Sequence, residues 1–269
     1  MTLVLFSKIV GSKTIDDLIA FARATKIDGY DLAVRKGFCV EPHTASQTLP
    51  TAVRTLRAAG LSVPMITGEF RFTPANDPSI EPLFKTMDAL DIRVFKIGCF
   101  SFDLIRDDYI QAVQQARDSI REYLPLSDKY NIRLAYQTHS GNWLGANASG
   151  LAHLFDGLSE RNAAFYLDTA HLSVCGEPFN YAARVAGGRL GVVGLKDYRY
   201  RISKSAVAGG SRWTGVPAGE GDVDWRNVAD AFKQIDHPVI KTIHIEFPFD
   251  DLTAVVAREV EFYRSIFAD

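Results

Sequence analysis

Polar groups capable of chemistry close a series of apolar runs in this sequence. LAYQTH ends on Gln137 and His139, FYLDTAH on Asp168 and His171, GLKD on Lys196 and Asp197, and IHIEF carries His244 and Glu246. Asp31 in GYDLAV, Glu69 after LSVPMIT and Lys96 in IRVFKIG belong to the same class. A carboxylate that follows several buried residues costs several kcal/mol unless it is paired, protonated or bound to metal. Asp168 and Glu246 are therefore expected to have a cation or donors beside them. Imidazoles titrate near neutrality, which makes His139 and His171 candidates for acid/base work. A lysine between two carboxylates would stay charged, and Lys196 is then an electrostatic stabiliser rather than a Schiff-base nucleophile. The alternative for Lys196 is an internal salt bridge, because structural ion pairs also gather in clefts. His153 and His237 have no such setting and read as surface histidines.

The elements that must position these groups follow from the hydropathy pattern. Strand-length apolar runs occupy residues 3–8, 29–34, 61–67, 92–98, 132–137, 163–168, 191–196 and 240–247. Amphipathic stretches such as TIDDLIAFARAT and DDYIQAVQQARDSIREYL separate them. Eight near-continuous apolar strands alternating with helices predict an α/β fold, a (β/α)8 TIM barrel in one domain over residues 1–269. An open doubly wound sheet is the weaker alternative, since SKIVGSKT after the first run carries neither glycine-rich phosphate motif. In a barrel of this kind the site forms at the C-terminal ends of the strands. Side chains two apart share a strand face, which pairs Gln137 with His139, Gly194 with Lys196 and His244 with Glu246. Residues 199–222 show no apolar periodicity and read as a long active-site loop.

Composition narrows the partners. Thirty basic and 32 acidic residues give a net charge of −2, no field for a polyanion, so nucleic acid is not expected. No apolar run approaches the roughly 20 residues of a membrane helix. The N-terminal run has no basic flank or cleavage site and reads as a first strand. Cys39, Cys99 and Cys175 are widely spaced with no CxxC pair, which argues against a disulfide framework and fits a cytoplasmic setting.

Across essentially its whole length the chain resembles the xylose isomerase-like sugar isomerase/epimerase family. The resemblance is carried by DGYDLAV (28–34), LAYQTHSGN (134–142), YLDTAHLSVCGEP (166–178), GLKDYRY (194–200), VPAGEGDVDW (216–225) and IHIEF (243–247). It implies a small carbohydrate substrate, proton transfer next to its carbonyl, and a divalent ion such as Mn, Mg or Zn. The family's four strand-end ligands are Glu, Asp, His and Glu. Asp168 and Glu246 match the second and fourth. Gln137 stands at the first and Gly194 at the third, so a weakly held ion on Asp168, Glu246 and Gln137, or none, is implied. Gln137 resembles a feature of one branch that shares the VPxGEGxVDW stretch. Within this frame Glu246, Lys196, His171 and His139 are the candidate catalytic residues. Lys96, Glu69, Trp143, Tyr198, Arg199 and Trp213 are the candidate substrate contacts. A lyase or dehydratase shares the first proton abstraction, and a sugar-binding barrel without turnover is the third reading. Homo-oligomers occur in the family.

Overall fold

The computed structural model describes residues 1–11, 14–202 and 211–268. The apolar runs become strands β1 (Leu3–Phe6), β2 (Gly29–Ala33), β3 (Ser62–Thr67), β4 (Val94–Lys96), β5 (Arg133–Gln137), β6 (Ala163–Asp168) and β7 (Leu190–Leu195). Two further strands, β8 (Asp197–Ile202) and β9 (Ser211–Val216), precede β10 (Ile240–Ile243). The helices are α1 (Ile15–Thr25), α2 (Ala45–Ala58), α3 (Ile80–Ala89), α4 (Tyr109–Arg121), α5 (Leu124–Tyr130), α6 (Ala148–Leu154), α7 (Thr169–Val174), α8 (Phe179–Ala186), α9 (Trp225–Phe232) and α10 (Leu252–Ile266). Among the described residues, none of them is long and apolar enough to cross a membrane.

Strands β1 to β7 and β10 close into an all-parallel barrel in the order β1-β10-β7-β6-β5-β4-β3-β2, the (β/α)8 architecture expected from eight apolar runs. The main core lies between the outer faces of the strands and the helices. Inside the barrel, Met65, Ala135, Ala164, Tyr166 and Val192 pack with Val94 and Ile240 as a plug. Strand alternation then sends the next residues toward the C-terminal mouth on the same inner face. Lys96 follows Val94 in this way, and the register sets it beside Thr67 and Ala135, with Asp168 beside Gly194.

Residues 199–222 differ from the irregular loop that the sequence suggests. Strands β8 and β9 form an antiparallel hairpin, with Tyr200 opposite Trp213. Residues 203–210 lie outside the described part. The local signal is the alternation of Tyr198, Tyr200 with Arg199, Arg201, a period of two that a search for apolar stripes passes over. The hairpin lies against the end of β10 at Gly215, where a Cβ would come within 2.0 Å of the Glu246 carbonyl oxygen. Only glycine permits that approach.

The segment after β9 wraps around Asp197. Its carboxylate accepts hydrogen bonds from the backbone N–H groups of Tyr198, Gly219, Gly221 and Val223 at 2.9–3.1 Å and from Trp225 Nε1 at 2.9 Å. A Cβ at Gly221 would fall 2.0 Å from Asp197 Oδ1. The spacing of GEGDVDW is thus the spacing of donors around one buried acceptor.

Candidate active site

Lys196 follows the last residue of β7 and is 3% exposed. Its Nζ donates to Glu246 Oε2 at 2.8 Å and to His171 Nε2 at 2.9 Å, and it lies 3.3 Å from Asp168 Oδ2. Burial disfavours the charge on this lysine, but Asp168 and Glu246 outweigh it and raise its pKa, so the ammonium persists. An ammonium has donors only. His171 Nε2 must therefore accept, which leaves the ring proton on Nδ1, where it is given to Ser140 Oγ at 2.8 Å. Burial first, then the Lys196 charge, push His171 well below its usual range, so this ring is neutral.

Asp168 ends β6 fully buried and caps α7, with Oδ1 accepting from the His171 N–H at 3.1 Å. Its Oδ2 accepts from Gln137 Nε2 at 2.6 Å. That contact gives the amide its role. A glutamate at 137 would place a second negative charge against Asp168, whereas the amide supplies a donor.

Glu246 departs from the burial expected of its apolar run: its side chain is 43% exposed at the barrel mouth. The strand ends at Ile243, and the hairpin packs on the backbone of Glu246 rather than over its carboxylate. Oε2 is taken by Lys196 and by the Tyr198 hydroxyl at 2.6 Å. Among the described residues, Oε1 has only His244 Nδ1, at 4.0 Å. Partial burial works to raise this carboxyl, but Lys196 outweighs it and holds the group well below the usual carboxylate range.

His139 lies over His171 with ring centroids 3.9 Å apart. Its Nδ1 donates to the Ser140 carbonyl at 2.9 Å, so Nε2 carries the lone pair and has no partner among the described residues. Burial lowers its pKa, which keeps it neutral. Two basic atoms, Glu246 Oε1 and His139 Nε2, are thus left free around a fixed ammonium.

Aromatic rings border this group. Tyr198 and Trp213 stack at 4.7 Å, and Trp213 lies 6.2 Å from His171. Phe70 meets Trp143 at 4.9 Å and His139 at 5.4 Å. Phe70 and Ser140 escaped the sequence reading. Ser140 sits inside the QTHSG motif, and Phe70 follows Glu69, but neither type signals a site on its own.

Deeper in the mouth, Lys96 is 3% exposed and has no hydrogen-bond or ion-pair partner among the described residues. Burial lowers its pKa, and Arg35 and Lys196 add to the effect against the pull of Cys99 and Asp31. Asp31 accepts from Thr67 Oγ1 at 2.6 Å and, weakly, from Thr242 Oγ1 at 3.5 Å, and burial pushes it up to about 6. His244 shares a 2.6 Å hydrogen bond with the Tyr166 hydroxyl and is lowered by burial to about 4. Two expected contacts are not brought to the Lys196 group. Glu69 is exposed on the rim, accepting from the Lys36 N–H at 3.4 Å. Arg199 faces away from Tyr198 along β8 and donates to the Glu220 carbonyl.

Among the described residues no three His, Cys, Asp or Glu side chains are placed to hold a metal ion. The Lys196 ammonium occupies the point on which Asp168, Glu246 and His171 converge, Gln137 presents a donor, and Gly194 presents nothing. A divalent ion at about 3 Å from that ammonium would be repelled by about 11 kcal/mol at an effective dielectric constant of about 20. The donor set does not fit a divalent ion.

Comparison with known proteins agrees with this architecture. No curated protein is significantly similar in sequence. Among solved structures, the 3-keto-D-glucoside 4-epimerase YcjR from E. coli superposes with a TM-score of 0.75 at 11% identity, over 98% of this chain and 99% of that one. The probable 3-DHS dehydratase AsbF from Bacillus anthracis gives 0.72 at 16% identity, over 98% of each. The IOLI protein, with a bound zinc atom, gives 0.77 at 11% identity, over 100% of this chain and 98% of that one. At these identities the likeness is one of fold. A family profile described as xylose isomerase-like TIM barrel matches residues 19–266. Barrel closure and a match over nearly the whole sequence lead to one conclusion: the chain belongs to the xylose isomerase-like TIM barrel family.

Proposed function

We propose that the protein is a sugar isomerase/epimerase-type enzyme, which moves a proton on the carbon next to the carbonyl of a small sugar, sugar acid or polyol derivative. The observation that carries this reading is the division of labour around Lys196: a fixed, buried positive charge with, among the described residues, one free carboxylate oxygen and one free imidazole nitrogen beside it. Glu246 Oε1 takes the α proton. The C–H electron pair becomes the carbon–carbon double bond of an enediolate, and the carbonyl π pair moves onto oxygen. Lys96, whose N–H groups have no partner among the described residues, donates to that oxygen, while Lys196 stabilises its charge across the site. His139 Nε2 accepts the proton of the neighbouring hydroxyl and passes it to the enediolate oxygen. Glu246 then returns its proton to the adjacent carbon, which completes an aldose–ketose shift with all protons accounted for. Tyr198, Trp213 and Trp143 offer ring faces to the sugar.

A second reading has the same first step followed by loss of a β substituent. The likeness of fold to AsbF, a probable dehydratase by name, favours keeping it in the test. Incubation with a panel of keto-sugars and keto-inositols in D2O, followed by mass spectrometry, separates the readings. Deuterium at the carbon next to the carbonyl, with an isomeric product, supports the isomerase. A dehydrated product with new enone absorbance selects the lyase. Binding without exchange or elimination anywhere in the panel would overturn both in favour of a non-catalytic sugar binder.

A further inference from the structure

Lys196 does more than neutralise a neighbour. Its ammonium meets three acceptors: Asp168 Oδ2 at the end of β6, by an ion pair at 3.3 Å, Glu246 Oε2 beyond β10 and His171 Nε2 in α7, by hydrogen bonds. Two carboxylates and a neutral imidazole nitrogen are the ligand types that suit Zn or Mn. A protein of the same fold, IOLI, has been crystallised with a zinc atom. The supporting groups here are nevertheless arranged for an ammonium. The acceptors stand 2.8–3.3 Å from the common centre, whereas Zn–ligand bonds are about 2.0–2.2 Å. Gln137 turns its amide N–H, and not its carbonyl, toward Asp168. Gly194 carries no ligand, and a side chain there would be crowded, since a Cβ would lie 3.0 Å from Tyr166 and 3.1 Å from Asp168 Oδ2.

We infer that Lys196 is a covalently built-in replacement for a divalent cation, so that the native barrel works without metal; the acceptors around it, which are not placed to hold an ion as they stand, can close on one only when the lysine is removed. The inference deepens the proton-transfer reading, on which it rests for the part the charge plays, but its geometry is independent of any substrate. It also assigns His171 a role: with Nδ1 bound to Ser140, its Nε2 lone pair is aimed at the cation and not at a sugar.

The test is metal binding. Wild-type protein purified without chelator or added metal is analysed by elemental mass spectrometry, and its thermal midpoint is recorded with MgCl2, MnCl2 and ZnCl2 in turn. The wild type and Lys196→Arg are expected to hold far less than one ion per chain, with a midpoint indifferent to all three salts. Lys196→Ala is expected to take up one ion per chain from MnCl2 or ZnCl2, with a rise of several degrees in its midpoint that disappears when Asp168→Asn is added. Lys196→Ser serves the same purpose if the alanine variant is insoluble. Stoichiometric metal in the wild type that is lost in Asp168→Asn overturns the inference, as does a folded Lys196→Ala or Lys196→Ser that binds none of the three ions. The wild-type measurement needs no variant to fold. Failure here would leave the proton-transfer reading standing, because deuterium exchange into a keto-sugar is read separately.

Discussion

Lys196 and Glu246 are joined through one oxygen only. Nζ lies 2.8 Å from Oε2, and Oε1 is left to whatever enters the barrel mouth. The pairing holds the carboxylate ionised while leaving a lone pair for work. Glu246→Gln is expected to lower kcat/KM by about 10²–10⁴-fold. Its thermal midpoint is expected to change little, since a half-exposed ion pair contributes about 0–1 kcal/mol. Steady-state kinetics together with a thermal melt check both halves. Lost activity with a collapsed midpoint would show that Glu246 serves the fold.

The other partner of Lys196 is buried, and the expectation reverses. Lys196→Met leaves Asp168 without its cation in a site closed to water, and loss of one member of a buried pair costs about 3–5 kcal/mol. Adding Asp168→Asn is expected to restore part of that loss, because a neutral amide needs no counter-charge. Urea unfolding of the two single variants and the double variant measures the coupling. Additive losses would contradict a direct ion pair.

Asp197 sits next to Lys196 in sequence but points into the loop that follows β9. Asp197→Ala would orphan five donors, several of them buried, each at a cost of about 1–3 kcal/mol if water does not replace the carboxylate. The expected result is destabilisation of several kcal/mol and rapid proteolysis within residues 217–225. A variant as stable as the wild type would mean that the loop is held elsewhere.

Glu259, on α10, is 2% exposed and accepts the Ala218 N–H at 2.8 Å. Burial raises its pKa from 4.5 to about 7. A carboxyl whose pKa is higher in the folded state binds more protons there than in the unfolded chain. Its contribution to stability is therefore fully present below about pH 4.5 and is lost as pH rises toward 7, by up to about 3 kcal/mol. Glu259→Gln keeps an acceptor for Ala218 and cannot ionise. It is expected to be more stable than the wild type at pH 8 and to flatten the decline between pH 4.5 and 7. Equal pH slopes in the two proteins, by urea unfolding across this range, would contradict the assignment.

Much of this was legible in the residues themselves. Each of the eight apolar runs became a barrel strand, because a parallel sheet covered on both faces needs near-continuous apolar sequence. Asp168, Lys196 and Glu246, read as strand-end residues, lie together at one mouth, and His171 joins them from α7. What alternation could not say was how far each residue stood from water. Glu246 lies beyond the last paired residue of β10, where the barrel no longer covers it. Nor could it orient Arg199, whose direction depends on how the hairpin docks at Gly215, a contact between segments about thirty residues apart. The role of Gln137 was hidden for a related reason. An amide looks like a weakened ligand until its donor is seen against Asp168.

A fixed ammonium, in place of a metal ion, is proposed to support proton transfer next to a carbonyl. The most direct measurement is solvent deuterium wash-in to a keto-sugar by wild-type protein that has been exhaustively chelated. The expected result is one deuterium at the carbon next to the carbonyl, at a rate unaffected by EDTA and lower by about 10²–10³-fold in Lys196→Met, the range seen when one electrostatic stabiliser is removed. Exchange that stops on chelation and returns with a divalent ion would contradict the account, and so would folded protein that exchanges no deuterium into any keto-sugar offered.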